Sequence, residues 1–232
     1  MEIQAAIAKV DRYSSSEQGD KIEVIERPHG GMSIILAEGK LNGRRSKTVA
    51  LKGVHKLLTL ISEGIHDGAA TRAVLGNLHN EHAGKAELAL SVLSCDLTSG
   101  TLVITKNNDL PVALVREDNV DYLRMEQDDT DLALNPRVFQ FQIEPGLTFV
   151  FCSDGILKAG TQGGQPFDLD LNLEAIYEED EPSVRELADY LLTQAISQDI
   201  GRPRDDMSVI VLRVVAKSNK NIRRVDIQVP IN

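Results

Sequence analysis

The chain has 232 residues, 42% of them apolar and 26% charged, an ordinary globular mix that excludes a disordered or collagen-like polymer. At this length a core can form without disulfides or a structural metal. The formal charge is −10, from 25 Lys plus Arg against 35 Asp plus Glu, which excludes a basic footprint for nucleic acid and suits cations or a basic protein surface.

No apolar run approaches the ~20 residues of a membrane span. The Met1-Glu2-Ile3-Gln4 start shows no basic segment followed by an apolar one, so no secretory leader is expected. The two cysteines, Cys95 and Cys152, sit in strand-like apolar runs and read as buried, reduced thiols. Together these features point to a cytoplasmic protein with no membrane partner.

Glu2 to Val10 alternates with Ile3, Ala5 and Ile7 on one side, a half-buried strand. After the polar loop Tyr13 to Gln18 and Gly19-Asp20, Lys21 to Glu26 alternates again. Met32 to Ala37 is a continuous apolar run, the pattern of a strand buried on both faces. Ser46 is a helix N-cap, followed by Val54, Leu57, Leu58, Ile61 and Ile65 at helical spacing. A second helix is predicted over Ala69 to His82. A long antiparallel meander follows: Glu87 to Asp96, Thr101 to Lys106, Leu110 to Arg116, Val120 to Met125, Val138 to Ile143 and Leu147 to Cys152, with Pro145-Gly146 as a tight turn.

Beyond Ser153-Asp154-Gly155 the chain turns glycine-rich, and Gly160 to Gln165 reads as a mobile flap. Glu178 to Glu181 reads as a solvated acidic run. Ser183 caps a helix with Val184, Leu187, Leu191, Ala195 and Ile196 inward, and Met207 to Val215 is a strongly apolar strand. Residues 222–231 alternate as Val225, Ile227, Val229 and Ile231, with Pro230 placing them at a sheet edge. One α+β domain over 1–232 is expected, with its core at about 2–215 and helices on the outer faces of stacked antiparallel sheets.

The acidic residues that carry chemistry stand at strand tips. Asp20 precedes the second strand, Glu38-Gly39 follows the third, Asp154 follows Phe149 to Ser153, and Asp205-Asp206 precede the last strand. Carboxylates beside buried strands need a cation or hydrogen bonds. Several converging ones, without Cys or His, suit Mg²⁺ or Mn²⁺.

Gly19-Asp20, GMSIILAEGKLNG (Gly31 to Gly43), FCSDGI (Phe151 to Ile156) and RDDMSVIVL (Arg204 to Leu212) resemble the ordered motifs of the metal-dependent PPM, or type-2C, serine/threonine protein phosphatases. Their spacing is similar to the bacterial SpoIIE-like branch, which acts on sporulation and stress-response regulators. The resemblance covers roughly residues 5–215 and implies a four-layer αββα sandwich of two antiparallel sheets flanked by helices. It implies Asp20, Glu38, Asp154 and Asp205 as catalytic metal ligands, Gly39 as a backbone-carbonyl ligand, two Mn²⁺ or Mg²⁺ ions, and a phosphorylated regulatory protein as substrate. Asp206 is a weaker candidate.

Glu38 departs from the family, which has aspartate there, and Lys40-Leu41-Asn42-Gly43 keeps only the last glycine of a Gly-x-Gly-x-Gly-like turn. That departure motivates the alternative of a degenerate domain that binds a phosphoprotein without turnover. Lys40, Arg44 and Arg12 are the candidates for a phosphate-facing cation. His79-x-x-His82 lacks further ligands for a zinc site, Ser153 is in no Gly-x-Ser-x-Gly elbow, and Asn107-Asn108-Asp109 reads as a turn.

Overall fold

The computed structural model describes residues 1–13, 19–116, 119–123, 133–178, 180–216 and 225–229. In chain order the strands are β1 (Glu2–Val10), β2 (Asp20–Glu26), β3 (Gly31–Leu41) and β4 (Arg44–Arg45). Helices α1 (Lys47–Ser62) and α2 (Asp67–Glu81) follow, then β5 (Ala86–Asp96), β6 (Thr101–Lys106), β7 (Val112–Arg116), β8 (Asn119–Leu123), β9 (Arg137–Gln142) and β10 (Thr148–Cys152). The chain continues through α3 (Asp154–Leu157), α4 (Leu169–Tyr177), α5 (Val184–Gln198) and β11 (Met207–Val215).

The strands form two antiparallel sheets, ordered β1-β11-β10-β7-β8 and β2-β3-β5-β6-β9, with β4 paired to β3. The sheets stack face to face, and the alternation of side chains along each strand separates three apolar layers. Ile34, Leu36, Leu93, Ile104, Phe149, Phe151, Ile210 and Leu212 fill the space between the sheets. The intervening Ile35, Ala37, Leu90 and Val92 pack against α1 and α2. Val150, Cys152, Val209 and Val211 pack against α3, α4 and α5. This is the expected four-layer sandwich, and it explains why the central strands read as unbroken apolar runs: both of their faces are covered.

Local chemistry places the helices. The Ser46 side chain accepts from the Val49 N–H at the start of α1, and Ser183 with Glu186 closes a reciprocal capping box on α5. Asn107 ties down the end of the β5–β6 hairpin: its Oδ1 accepts from the Leu90 N–H at 2.6 Å and its Nδ2 donates to the Leu88 carbonyl at 2.8 Å. His79 and His82 lie at the end of α2. No helix among the described residues is long and apolar enough to cross a membrane.

Several segments differ from the sequence reading, which contains neither α4 nor the short elements β4 and α3. Gly160 to Gln165, read as a flap, contains a 3₁₀ turn at Thr161–Gly163, anchored where the Gly160 N–H donates to Asp199 Oδ1 at 3.0 Å. Residues 225–229, expected in an edge strand, form none: Val225, Ile227 and Val229 are exposed, and Gln228 accepts from Arg185. The rest of 222–231 lies outside the described residues.

Candidate metal centre

Side-chain alternation brings the acidic residues to one end of the sandwich. Asp20 and Glu38 are direct cross-strand partners in β2 and β3. Each lies two residues from an inward apolar side chain, Ile22 and Leu36, so both face the space between the sheets. Across that space, Asp154 opens α3 directly after β10, and Asp205 stands just ahead of β11. Gly155 allows the close fit, since a Cβ there would lie 2.0 Å from the Asp206 carbonyl oxygen.

A single guanidinium joins three of these carboxylates. Arg45 Nη1 lies 3.5 Å from Asp20 Oδ1, and Nη2 lies 3.2 Å from Asp154 Oδ1 and also contacts Asp205 Oδ2. Lys158 adds a second cation, 2.7 Å from Asp154 Oδ2. Ser208 donates to Asp20 Oδ2 at 3.3 Å. Glu38 is 8% exposed, and its Oε1 is buried with no hydrogen-bond partner among the described residues.

Like charges directly opposite on a sheet repel, and burial compounds the cost of ionisation. Asp20 is pushed up to about 7, first by burial and then by the charges of Asp206 and Asp154, against the pull of Arg45. Glu38 is driven well above the usual carboxylate range by burial and by Asp20 and Asp154. Burial also raises Asp205, with Arg45 opposing. Burial acts the same way on Asp154, but hydrogen bonds with Lys158 and Glu38, together with Arg45, outweigh it and hold that carboxyl low. The four carboxylates together hold Arg45 above its ordinary value despite burial.

Asp206 has a different task. Its carboxylate accepts from the backbone N–H groups of Arg12 and Asp20, both at 3.0 Å, and of Gly19. These bonds outweigh burial and keep it ionised. Asp206 thus fixes the backbone at Asp20, and both of its oxygens are taken by backbone donors. Arg12, expected as a phosphate-facing cation, approaches through this backbone donation. Lys40 is the cross-strand partner of Arg45, and Leu41 that of Arg44.

Beside Lys158, the cation that reaches the centre is Arg45, one position beyond the expected Arg44. Asn42 and Gly43 have φ of 52° and 71°, the two-residue hairpin geometry that an Asn-Gly pair favours. That hairpin sets Arg45 opposite Lys40 on the face shared with Glu38, and turns Arg44 to the other face. The Asn-Gly dipeptide was the signal that could have found it.

Among the described residues, no three His, Cys, Asp or Glu side chains are arranged to hold one metal ion; the guanidinium stands between the carboxylates. Their chemistry nevertheless fits a hard divalent cation, because every donor is oxygen. The orphaned Glu38 Oε1 is an acceptor that such an ion would satisfy.

The family model for stage II sporulation protein E (SpoIIE) matches residues 29–215, a range that begins after Asp20. No curated protein matches the chain by sequence. The fold is similar to that of the phosphatase domain of the cell fate determinant SpoIIE from Bacillus subtilis, with a TM-score of 0.71 and 20% identity, covering 99% of this chain and 98% of that one. It is also similar to the catalytic domain of the serine/threonine protein phosphatase PstP, solved with two manganese ions, with a TM-score of 0.67, 17% identity, and coverage of 92% and 99%. The serine/threonine phosphatase of S. agalactiae matches with a TM-score of 0.67 at 14% identity, over 92% of this chain and 100% of that one. Each of these likenesses is one of fold: the α+β sandwich is that of the PP2C phosphatases.

Proposed function

The chain belongs to the SpoIIE family, and on that premise we propose that it is a divalent-cation-dependent phosphatase that hydrolyses phosphoserine or phosphothreonine on a regulatory protein. The observation that carries the reading is the convergence of Asp20, Asp154 and Asp205, from both sheets, on one cationic group, with Glu38 directly across from Asp20. The fold likeness to a phosphatase solved with two manganese ions supports it.

Asp20, Glu38, Asp154 and Asp205 would hold two Mn²⁺ or Mg²⁺ ions, with the Gly39 carbonyl as a backbone donor. That carbonyl accepts from the Ser46 N–H at 2.7 Å and keeps a second lone pair. Bound ions of this kind supply an acidified water and offset charge on the phosphoryl oxygens. Asp206 and Ser208 hold Asp20 in place through its backbone N–H and its carboxylate. Lys158, whose side chain is 70% exposed, presents an ammonium to an arriving phosphate. The thiols take no part as nucleophiles, because burial pushes Cys95 up to about 11 and Cys152 up to about 12.

A second reading, a phosphoprotein-binding module without turnover, is favoured by Glu38, whose extra methylene stands where the family's aspartate is shorter and whose carboxyl is hydrogen-bonded with Asp154. Hydrolysis of para-nitrophenyl phosphate and of a phosphoserine peptide separates the two. Turnover in Mn²⁺ that stops in EDTA and in Asp154→Asn supports the enzyme. Silence of both the wild type and Glu38→Asp, with the phosphopeptide still bound, supports the module.

A further inference from the structure

Resting on the metal-dependent reading above, we infer that Arg45 is a built-in counter-ion that competes with divalent cations for the carboxylates and so sets the cation concentration at which the site fills. Guanidinium N–H groups and a metal ion draw on the same oxygen lone pairs. Arg45 engages Asp20 Oδ1, Asp154 Oδ1 and Asp205 Oδ2, so a cation meets these oxygens with a lone pair of each already used and a like charge beside it unless the guanidinium withdraws.

Four features fit a displaceable arm better than a permanent brace. Arg45 sits on the two-residue β4 behind a tight hairpin, and its side chain is 25% exposed whereas that of Asp20 is 0% exposed, which leaves a path to solvent. Two cations, Arg45 and Lys158, face four carboxylates, so the resident cations do not balance the site when all four are ionised. Glu38 Oε1 is left without a hydrogen-bond partner among the described residues. The guanidinium is also accommodated by a glycine, since a Cβ on Gly19 would lie 2.7 Å from Arg45 Nη1. In the metal-free chain the arm suppresses repulsion among carboxylates that folding forces together. Its cost is a weaker hold on the cation.

The test is calorimetric titration of Mn²⁺ into the full chain, with thermal denaturation of the same samples with and without Mn²⁺. Arg45→Met should bind Mn²⁺ ~10-fold or more tightly than wild type, melt lower without metal, and gain more from saturating Mn²⁺, since a ligand stabilises in proportion to its affinity for the folded state. Gly19→Ala, which only nudges the guanidinium, should shift affinity the same way by less, and it keeps the question open to test if Arg45→Met folds poorly. Wild type and folded Arg45 and Gly19 variants binding Mn²⁺ equally, or the variants binding it less tightly, would overturn the role of Arg45 and leave the metal-dependent reading standing. No Mn²⁺ heat from any of them would overturn both. Binding by Arg45→Met alone would support the inference in its strongest form.

Discussion

Arg27 and Arg45 are both substantially buried arginines bound to aspartate, one on each side of the β2–β3 sheet. Arg27 meets a single carboxylate, Asp67, at 2.6 Å. It is further hydrogen-bonded to Ser33 and Ser94, whose hydroxyls lie 2.7 Å apart. Charge is matched one to one, and this cluster ties the turn after β2 to the start of α2. Arg45 meets three carboxylates with a fourth beside them and only Lys158 to share them, and a buried oxygen there has no partner among the described residues. The same residue types thus build a structural pair in one place and a charge-unbalanced centre in the other. Balance, more than burial, marks where a further cation belongs.

Neutralising one carboxylate in each cluster separates these roles most widely. Asp154→Asn should lower Mn²⁺-dependent phosphate hydrolysis by on the order of 100-fold or more, because displaced ligands misplace the reacting groups, while circular dichroism stays native. Asp67→Asn should leave turnover per folded molecule unchanged.

Breaking the balanced pair comes next. Arg27→Met strands Asp67 as an unpaired buried charge and should cost about 3–5 kcal/mol in urea denaturation. That loss should be the same with or without Mn²⁺, whereas the loss in Arg45→Met should shrink in its presence.

Lys106 extends the comparison to a buried cation with no carboxylate in direct contact among the described residues. It is fully buried, donates to the Leu110 carbonyl, and is pulled down to about 8 by burial, with Asp109 opposing. Below pH 8 both the folded and the unfolded states carry the proton, and the penalty is constant. Between pH 8 and 10.5 the unfolded chain still holds a proton that the folded one has released, so this group's contribution rises with pH. The stability advantage of Lys106→Met over wild type should therefore be largest below pH 8. It should shrink by about 3 kcal/mol by pH 10.5, as read from denaturation curves across that range.

The smallest effect belongs to Asp206, a lone carboxylate satisfied by backbone donors. Asp206→Ala should cost ~1–3 kcal/mol in denaturation, because buried N–H groups lose a charged acceptor. It should also reduce turnover by loosening Asp20.

Where hydrophobic period and burial agree, the fold was legible in the residues themselves. Met32 to Ala37 reads as a strand covered on both faces, Leu147 to Cys152 and Met207 to Val215 read as apolar strands, and in the structure both faces of all three are covered. The acidic residues at their tips could be named because a strand tip next to a buried run is a costly place for a charge. Helix α4 stayed hidden because Leu169, Leu171 and Leu173 alternate with polar residues and mimic a strand. The helix buries Leu169 and Leu173 and leaves Leu171 62% exposed. The reverse holds for Val225, Ile227 and Val229, which alternate as a strand would but pair with nothing among the described residues. Arg45 was missed by one position, because on an extended segment neighbouring residues face opposite ways and only the hairpin register says which faces the site. Only the resemblance ranks Asp206 below Asp205, since the backbone donors that occupy Asp206 come from 186 to 194 positions away.

Diffraction from crystals grown in manganese, recorded at the metal's absorption edge, tests most directly whether these side chains make one cation site. Anomalous peaks ringed by oxygens of Asp20, Glu38, Asp154 and Asp205, with the Arg45 guanidinium swung clear, are the predicted result. A map without such peaks at saturating manganese, with Arg45 still seated on the three aspartates, would contradict it.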